Sequence, residues 1–184
     1  MFSNSQTAYK DIVTICTYNN RVIMAADYNQ YDRKARTEIE KSNYMVIGTS
    51  TKNGKPWTAP VLFVHDTSFN IYFLSAVDAL HSENILENAN VSISIFDSHQ
   101  KIGSYEGGVQ AEGKAKPVEK NDIERVIRLY CKKVFPDSDI EPTERYAPDD
   151  YLGDAEFRFF EIKLDNIYVT GEERHVKADV KDKD

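Results

Sequence analysis

Cysteine is almost missing from this chain of 184 residues: Cys16 and Cys131 are the only two. They are too few and too far apart for a disulfide framework or a metal knuckle, so both are expected reduced and Cys131 is expected in the core. His65-Asp66 and His99 have no metal-ligand spacing with each other or with cysteine, and no metal site is expected. No P-loop, no G-x-G-x-x-G and no serine elbow occurs, which removes the usual signatures of nucleotide-phosphate binding and acyl transfer. Positive charge is short as well, with 23 Lys and Arg against 30 Asp and Glu and a formal net charge of −7. Sequence-independent nucleic-acid binding needs a basic face that this balance does not supply. No stretch approaches the roughly 18 apolar residues of a spanning helix, and MFSNSQTAYKD lacks the basic and apolar regions of a secretory signal. The expectation is a soluble cytoplasmic protein with neither a nucleic-acid nor a membrane partner.

What remains is a chain with 41% hydrophobic residues, enough for the core of one ordinary domain. The negative charge is local. Residues 136–156 hold eight acidic residues and a single arginine, Arg145, with Pro136, Pro142 and Pro148 as punctuation. That composition predicts an acidic surface segment, read either as a solvated loop or as a lid over a ligand.

Hydrophobic periodicity supplies the elements. Two β-branched runs flank Asn19-Asn20 between Ile12 and Ala26 and suggest a small hairpin. Asp32 to Ser42 reads as a polar helix. Tyr44 to Thr51 leads into Lys52-Asn53-Gly54-Lys55, a strong hairpin signal, with Trp57 to His65 as the returning strand. Asn70 to Ser75 forms a third strand, and Asp78 is placed to cap a helix over Ala79 to Asn88. Val91 to Phe96 alternates strictly, and Gly107 to Lys116 makes a fifth strand. Asn121-Asp122-Ile123-Glu124 has the form of a capping box, followed at helical spacing by Ile123, Val126, Ile127, Tyr130, Cys131 and Val134. Phe160, Ile162 and Leu164 alternate in a sixth strand, which Ile167 to Thr170 continues or returns. Several short strands without β-α-β alternation predict a mainly β protein, an antiparallel barrel with flanking helices, because closure removes exposed sheet edges.

A strand ending beside a helix N-terminus, as at Ser75 to Ser82, gathers free backbone N–H groups that favour a phosphate. Ser75 closes the strand while His81 and Ser82 occupy the first helical turn, so hydroxyl, imidazole and amide donors converge. His81 is otherwise a surface helix histidine, Ser82 a capping residue, and Asn84 either a tether to a neighbouring loop or polar surface.

The order of these features resembles the pyridoxamine 5'-phosphate oxidase-like family, the FMN-binding split barrels. The resemblance rests on Gly54-Lys55-Pro56, Pro60-Val61, Tyr72-Phe73, His81-Ser82-Glu83-Asn84-Ile85, the stretch Gly107 to Gly113, and Phe160 to Tyr168. It runs from about Glu38 to Thr170. It implies a six-stranded antiparallel split barrel over residues 36–170 with an N-terminal extension over 1–35, and the tail over 171–184, rich in Lys, Asp and Glu, reads as loose. It further implies a homodimer with FMN in the interface. Carried over residue by residue, the flavin-contacting strand falls on Thr58, Ala59, Pro60 and Val61, and the phosphate site on Ser75, His81 and Ser82. Gln110 matches a position that faces the flavin across the dimer, or else lies on the solvated face of its strand.

The chain also departs from the family. Thr58 stands where the oxidases place an arginine, Phe63 where they place a lysine, and Leu80 and His81 where they place an Arg-Lys pair. Losing that charge weakens the hold on a dianionic phosphate. The resemblance is therefore to a relative of the biosynthetic oxidase, using flavin for hydride or electron transfer to a small substrate. The alternative is a non-catalytic split barrel that binds flavin, haem or another planar ligand.

Overall fold

The computed structural model describes residues 16–18, 21–23, 25–104, 107–170 and 176–178. Strands β1 (Cys16–Tyr18) and β2 (Arg21–Ile23) pair antiparallel. The intervening Asn19-Asn20 turn lies outside the described residues. Helix α1 (Ala25–Lys41) starts earlier than the polar stretch from Asp32 predicts, because Ala25 and Ala26, strong helix formers, join it rather than the preceding strand. Ala35 and Ile39, four apart on one face, are fully buried and bring this otherwise polar helix onto the barrel.

The barrel follows as β3 (Tyr44–Ser50), β4 (Pro56–Leu62), β5 (Val64–His65), β6 (Ile71–Ala76), α2 (Leu80–Glu87), β7 (Asn90–Phe96), β8 (Gly108–Pro117), α3 (Ile123–Val134), α4 (Pro142–Arg145), a 3-10 turn (Pro148–Tyr151), β9 (Phe157–Thr170) and β10 (Val176–Ala178). Strand order in the main sheet is β4-β3-β7-β8-β9-β6-β5, all antiparallel, with β10 added beside β9. Its long members are the six expected strands, and the two short ones, β5 and β10, bring the total to eight. One run of chain, Pro56 to His65, supplies both ends of the order: β4 pairs with β3, and after Phe63 β5 pairs with β6. The sheet is thereby curled round on itself, as a split barrel requires.

Alternation sorts the side chains. Met45, Ile47, Ala59, Val61, Ile93, Ile95, Val109 and Ala111 point inward, joined by Phe73 and Phe160, whose rings stack at 5.2 Å. On the outer side of β6 and β9, Tyr72 and Phe159 meet Ile123, Val126, Ile127 and Cys131 of α3, a second core.

β9 is a single strand of 14 residues. Phe160, Ile162 and Leu164 face inward at even positions, whereas Ile167 and Val169 face inward at odd ones. A β-bulge accounts for the change: Glu112 opposes Asn166 while Gly113 opposes Leu164, leaving Asp165 unpaired and resetting the phase. Gly113 cannot be replaced there without movement, since a Cβ would sit 2.2 Å from the carbonyl oxygen of Lys163.

Two capping expectations are corrected. The N-cap of α2 is Ala79, not Asp78, and it makes no side-chain cap bond. α3 starts behind Asp122, again without one, so the Asn121–Glu124 capping box does not form. Both helices are held by burial of one face instead. The acidic segment is pinned rather than loose: Tyr146 and Tyr151 pack against Phe159, with ring centroids at 6.4 and 5.3 Å, while its acidic side chains stay exposed.

Candidate functional site

The β6–α2 junction builds a polar knot. Ser75 and His81 meet at 2.8 Å between Oγ and Nε2, and the Ser82 hydroxyl donates to Ser75 Oγ at 3.1 Å. Ser82 is fully buried. The helix is sewn to β3 by buried Asn84, whose amide donates to Thr49 Oγ1 at 3.0 Å, and by Asn88, which donates to Ser50 Oγ at 3.0 Å. Asn84 is thus a tether rather than polar surface. The N–H groups of Ser82 and Glu83 are taken by the Ala79 carbonyl, whereas those of Leu80 and His81 have no backbone acceptor among the described residues.

Burial lowers the pKa of His81 below its ordinary 6.5. At neutral pH its ring is therefore uncharged, a hydrogen-bond partner rather than a cation. The cation at this junction is a residue that the sequence patterns passed over. Arg158 of β9 stands directly opposite Ser75 in the antiparallel register, so both side chains leave the same face of the sheet. Its Nε is buried without a hydrogen-bond partner among the described residues. A guanidinium on the face of the sheet that carries Ser75, together with the Leu80 and His81 amides at the start of α2, makes a donor set for an oxyanion. Only the β6–β9 register brings Arg158 here, since 83 residues separate it from Ser75 in sequence.

The second group of candidates lies on the outer face of the sheet. Thr58, Gly48, Ser92 and Glu112 are successive cross-strand partners, and Pro60, Val46, Ser94, Gln110 and Tyr168 form the adjoining row. All of these except Pro60 line a shallow groove of about 390 Å³, to which Thr58 and Gln110 both contribute. The groove is low at its centre because Gly48 has no side chain, and a Cβ there would meet Ser92 Oγ at 2.5 Å. Ala59 and Val61 have their side chains in the barrel core, leaving only backbone for any ligand. Phe63 is fully buried and Leu80 is exposed. Groove and knot share no lining residue.

Among the described residues no group of His, Cys, Asp and Glu is arranged to hold a metal ion. No helix among them is long and apolar enough to cross a membrane.

No curated protein matches the chain by sequence. Among solved structures it is similar to a haem binding protein from Mycobacterium smegmatis, with a TM-score of 0.64 and 19% identity over 80% of this chain and 57% of that one. The chain therefore spans little more than half the length of that relative. It is also similar to HutZ, the haem storage protein of Vibrio cholerae, at a TM-score of 0.59 and 15% identity over 75% of this chain and 93% of that one. A third is a Clostridium acetobutylicum protein described as related to general stress protein 26, of the pyridoxinephosphate oxidase family. There the TM-score is 0.57, with 12% identity over 82% of this chain and 95% of that one. At such identities the likeness is one of fold. Membership follows from the sequence itself: a family model described as pyridoxamine 5'-phosphate oxidase matches residues 31–171, a span that begins within α1 and takes in every long strand of the barrel. The chain belongs to the pyridoxamine 5'-phosphate oxidase family.

Proposed function

We propose that this protein binds FMN and uses it for hydride or electron transfer with a small substrate, as a relative of the biosynthetic oxidase. The observation that carries the reading is Arg158 opposite Ser75, an unpaired buried guanidinium nitrogen beside the Ser75–His81–Ser82 knot. It restores a positive charge to a junction whose sequence lacks the family's Arg-Lys pair. The donor set fits a phosphate: Arg158 would neutralise charge, Ser75 would donate its hydroxyl, which the buried Ser82 hydroxyl holds by donating to it, and the Leu80 and His81 amides would complete the cradle. Thr58, Pro60 and the backbone of Ala59 and Val61 would line the ring edge, with Gln110 approaching from the partner in a homodimer.

Bound flavin supplies the redox chemistry, so no acid–base pair of the protein's own is required. The chain's residues bind, orient and exclude water. Neutral His81 relays a hydrogen bond to Ser75 and holds that hydroxyl toward the anion. Tyr44 and Phe96, 63% and 49% exposed at the outer face, support a dimer that covers them and the groove.

Titration tests the reading. FMN should bind with micromolar affinity and its fluorescence should quench, with absorbance bands near roughly 370 and 450 nm perturbed. A flat titration with oxidised and reduced FMN alike overturns it. The second reading, a non-catalytic haem binder, is favoured by the two haem-associated relatives in Mycobacterium smegmatis and Vibrio cholerae. A band near roughly 400 nm on adding haemin, with no response to FMN, would select it.

A further inference from the structure

A larger cleft, of about 780 Å³, opens between α1, the β5–β6 turn and α3, and it shares no residue with the groove or the phosphate knot. Its volume is in the range of small-molecule sites. Val64 and Phe69 are buried in its floor and Leu129 packs beside them. Around that floor stand four cations: Arg36 from α1, and Arg125, Lys132 and Lys133 from α3.

Arg125 is paired with two carboxylates, Asp66 and Asp122. Asp66 is already committed. It accepts from the Ser68 and Asn70 amides, from Asn70 Nδ2 and from the Tyr72 hydroxyl, and it pairs with Arg125 at 3.4 Å. Lys133 has no carboxylate partner among the described residues. Its ammonium donates to the Ser42 carbonyl at 2.6 Å and lies 4.6 Å from the Phe63 ring. Lys132 is exposed and likewise has no ion-pair partner there. A chain of net charge −7 thus sets two ammonium groups, Lys132 and Lys133, without a carboxylate partner among the described residues, over an apolar floor.

The floor itself is set by an unusual backbone. Phe69 has φ of +57°, the single positive φ at a non-glycine residue among those described. Left-handed backbone is disfavoured for a bulky side chain, and such conformations gather where a site needs a particular shape. Here it turns the Phe69 ring under His65, stacked at 5.0 Å and 5° between planes, with the Arg36 guanidinium 4.9 Å over the ring.

We infer that this cleft is a second ligand site, for a small organic anion whose flat apolar body rests on Leu129 and the His65 ring, above the buried Val64 and Phe69, while its phosphate or carboxylate is held by Lys132 and Lys133. Burial pushes the pKa of Lys133 down, and an anion entering the cleft would supply the countercharge the ammonium lacks.

The test is amide NMR of the full chain, titrated with 1-naphthyl phosphate, 1-naphthoate, 1-naphthol and inorganic phosphate. Either organic acid should shift amides at 65–69 and 125–133, and which of the two binds tighter tells phosphate from carboxylate. Lys132→Glu, at an exposed side chain, should weaken that binding at least tenfold while leaving the rest of the spectrum unchanged. Four results would overturn the inference: no shift with either acid, naphthol binding as tightly as the acids, inorganic phosphate binding as tightly, or Lys132→Glu without effect. Amides of 75–82 and 158 report the flavin site in the same spectra, so failure of one reading is distinguishable from failure of the other.

Discussion

Ser75 and Arg158 face each other across the β6–β9 pairing, and the arginine's Nε is buried with no acceptor among the described residues. Burying such a donor unpaired costs on the order of 1–3 kcal/mol, more for a charged group. A bound oxyanion would recover that cost. Arg158→Gln should therefore weaken FMN by about 1.5–3 kcal/mol, the range of a hydrogen bond to a charged group, and leave riboflavin, which has no phosphate, nearly unaffected. Equal losses for both ligands in a fluorescence titration would move Arg158 out of phosphate binding.

His81 gives a pH signature. Its pKa is lowered in the folded protein from 6.5 by burial, so the unfolded chain binds more protons between the two values. The stability it contributes is present above pH 6.5 and is lost as the pH falls through the folded value. Urea midpoints should decline from neutral pH toward pH 5 in the wild type and decline less in His81→Gln. Saturating FMN should reduce the decline, since a phosphate favours the protonated ring. Identical midpoint curves for the two proteins would show that the ring titrates as it does in the unfolded chain.

Gly113→Ala should be among the most damaging single changes in the barrel. The added Cβ meets backbone, the Lys163 carbonyl at 2.2 Å, at the bulge that resets β9. A loss of about 3 kcal/mol is expected, the upper part of the overpacking range, read from chemical denaturation. A loss within a few tenths of a kcal/mol would mean that the bulge migrates freely.

Asn84 joins α2 to β3 through Thr49, both side chains buried. Asn84→Ala should cost about 1–3 kcal/mol by leaving Thr49 without its donor. Because α2 carries His81 and Ser82, it should also weaken FMN, while Glu83→Ala on the exposed side of the same helix should do neither. Matching affinities for all three proteins would uncouple the tether from the ligand.

The outer groove is expected to close against a second copy of the chain. Light scattering should give a dimer mass at micromolar concentration, and Ser92→Arg, directly opposite Gly48 in the groove, should shift it toward the monomer. A wild-type monomer under those conditions would place Gln110 on open surface.

Much of the architecture is written locally. Strict alternation in Val91–Phe96, the Asn53-Gly54 turn and the apolar face of α3 from Ile123 to Val134 each carry their own period, and each element lies within a residue or two of where that period puts it. Helix starts were less legible: Asp78 and the Asn121–Glu124 box have capping chemistry in sequence, yet neither cap bond forms, because packing of one face outweighs a bond worth about 1 kcal/mol. The junction of Ser75, His81 and Ser82 is also local, eight residues end to end, so a strand meeting a helix is enough to suggest it.

Arg158 was not legible, because nothing near it in sequence marks it. Alternation could place it on a face, but only the β6–β9 register sets it against Ser75. The same holds for the row joining Thr58, Gly48, Ser92 and Glu112, and for the cleft where α1 and α3 bring four cations around Phe69. Hydrophobic period and turn chemistry act over a few residues, and so the sequence by itself determined the kinds and order of the elements. Register, curvature and the sharing of one face by distant strands depend on closing the whole sheet, and those the tertiary structure alone decided.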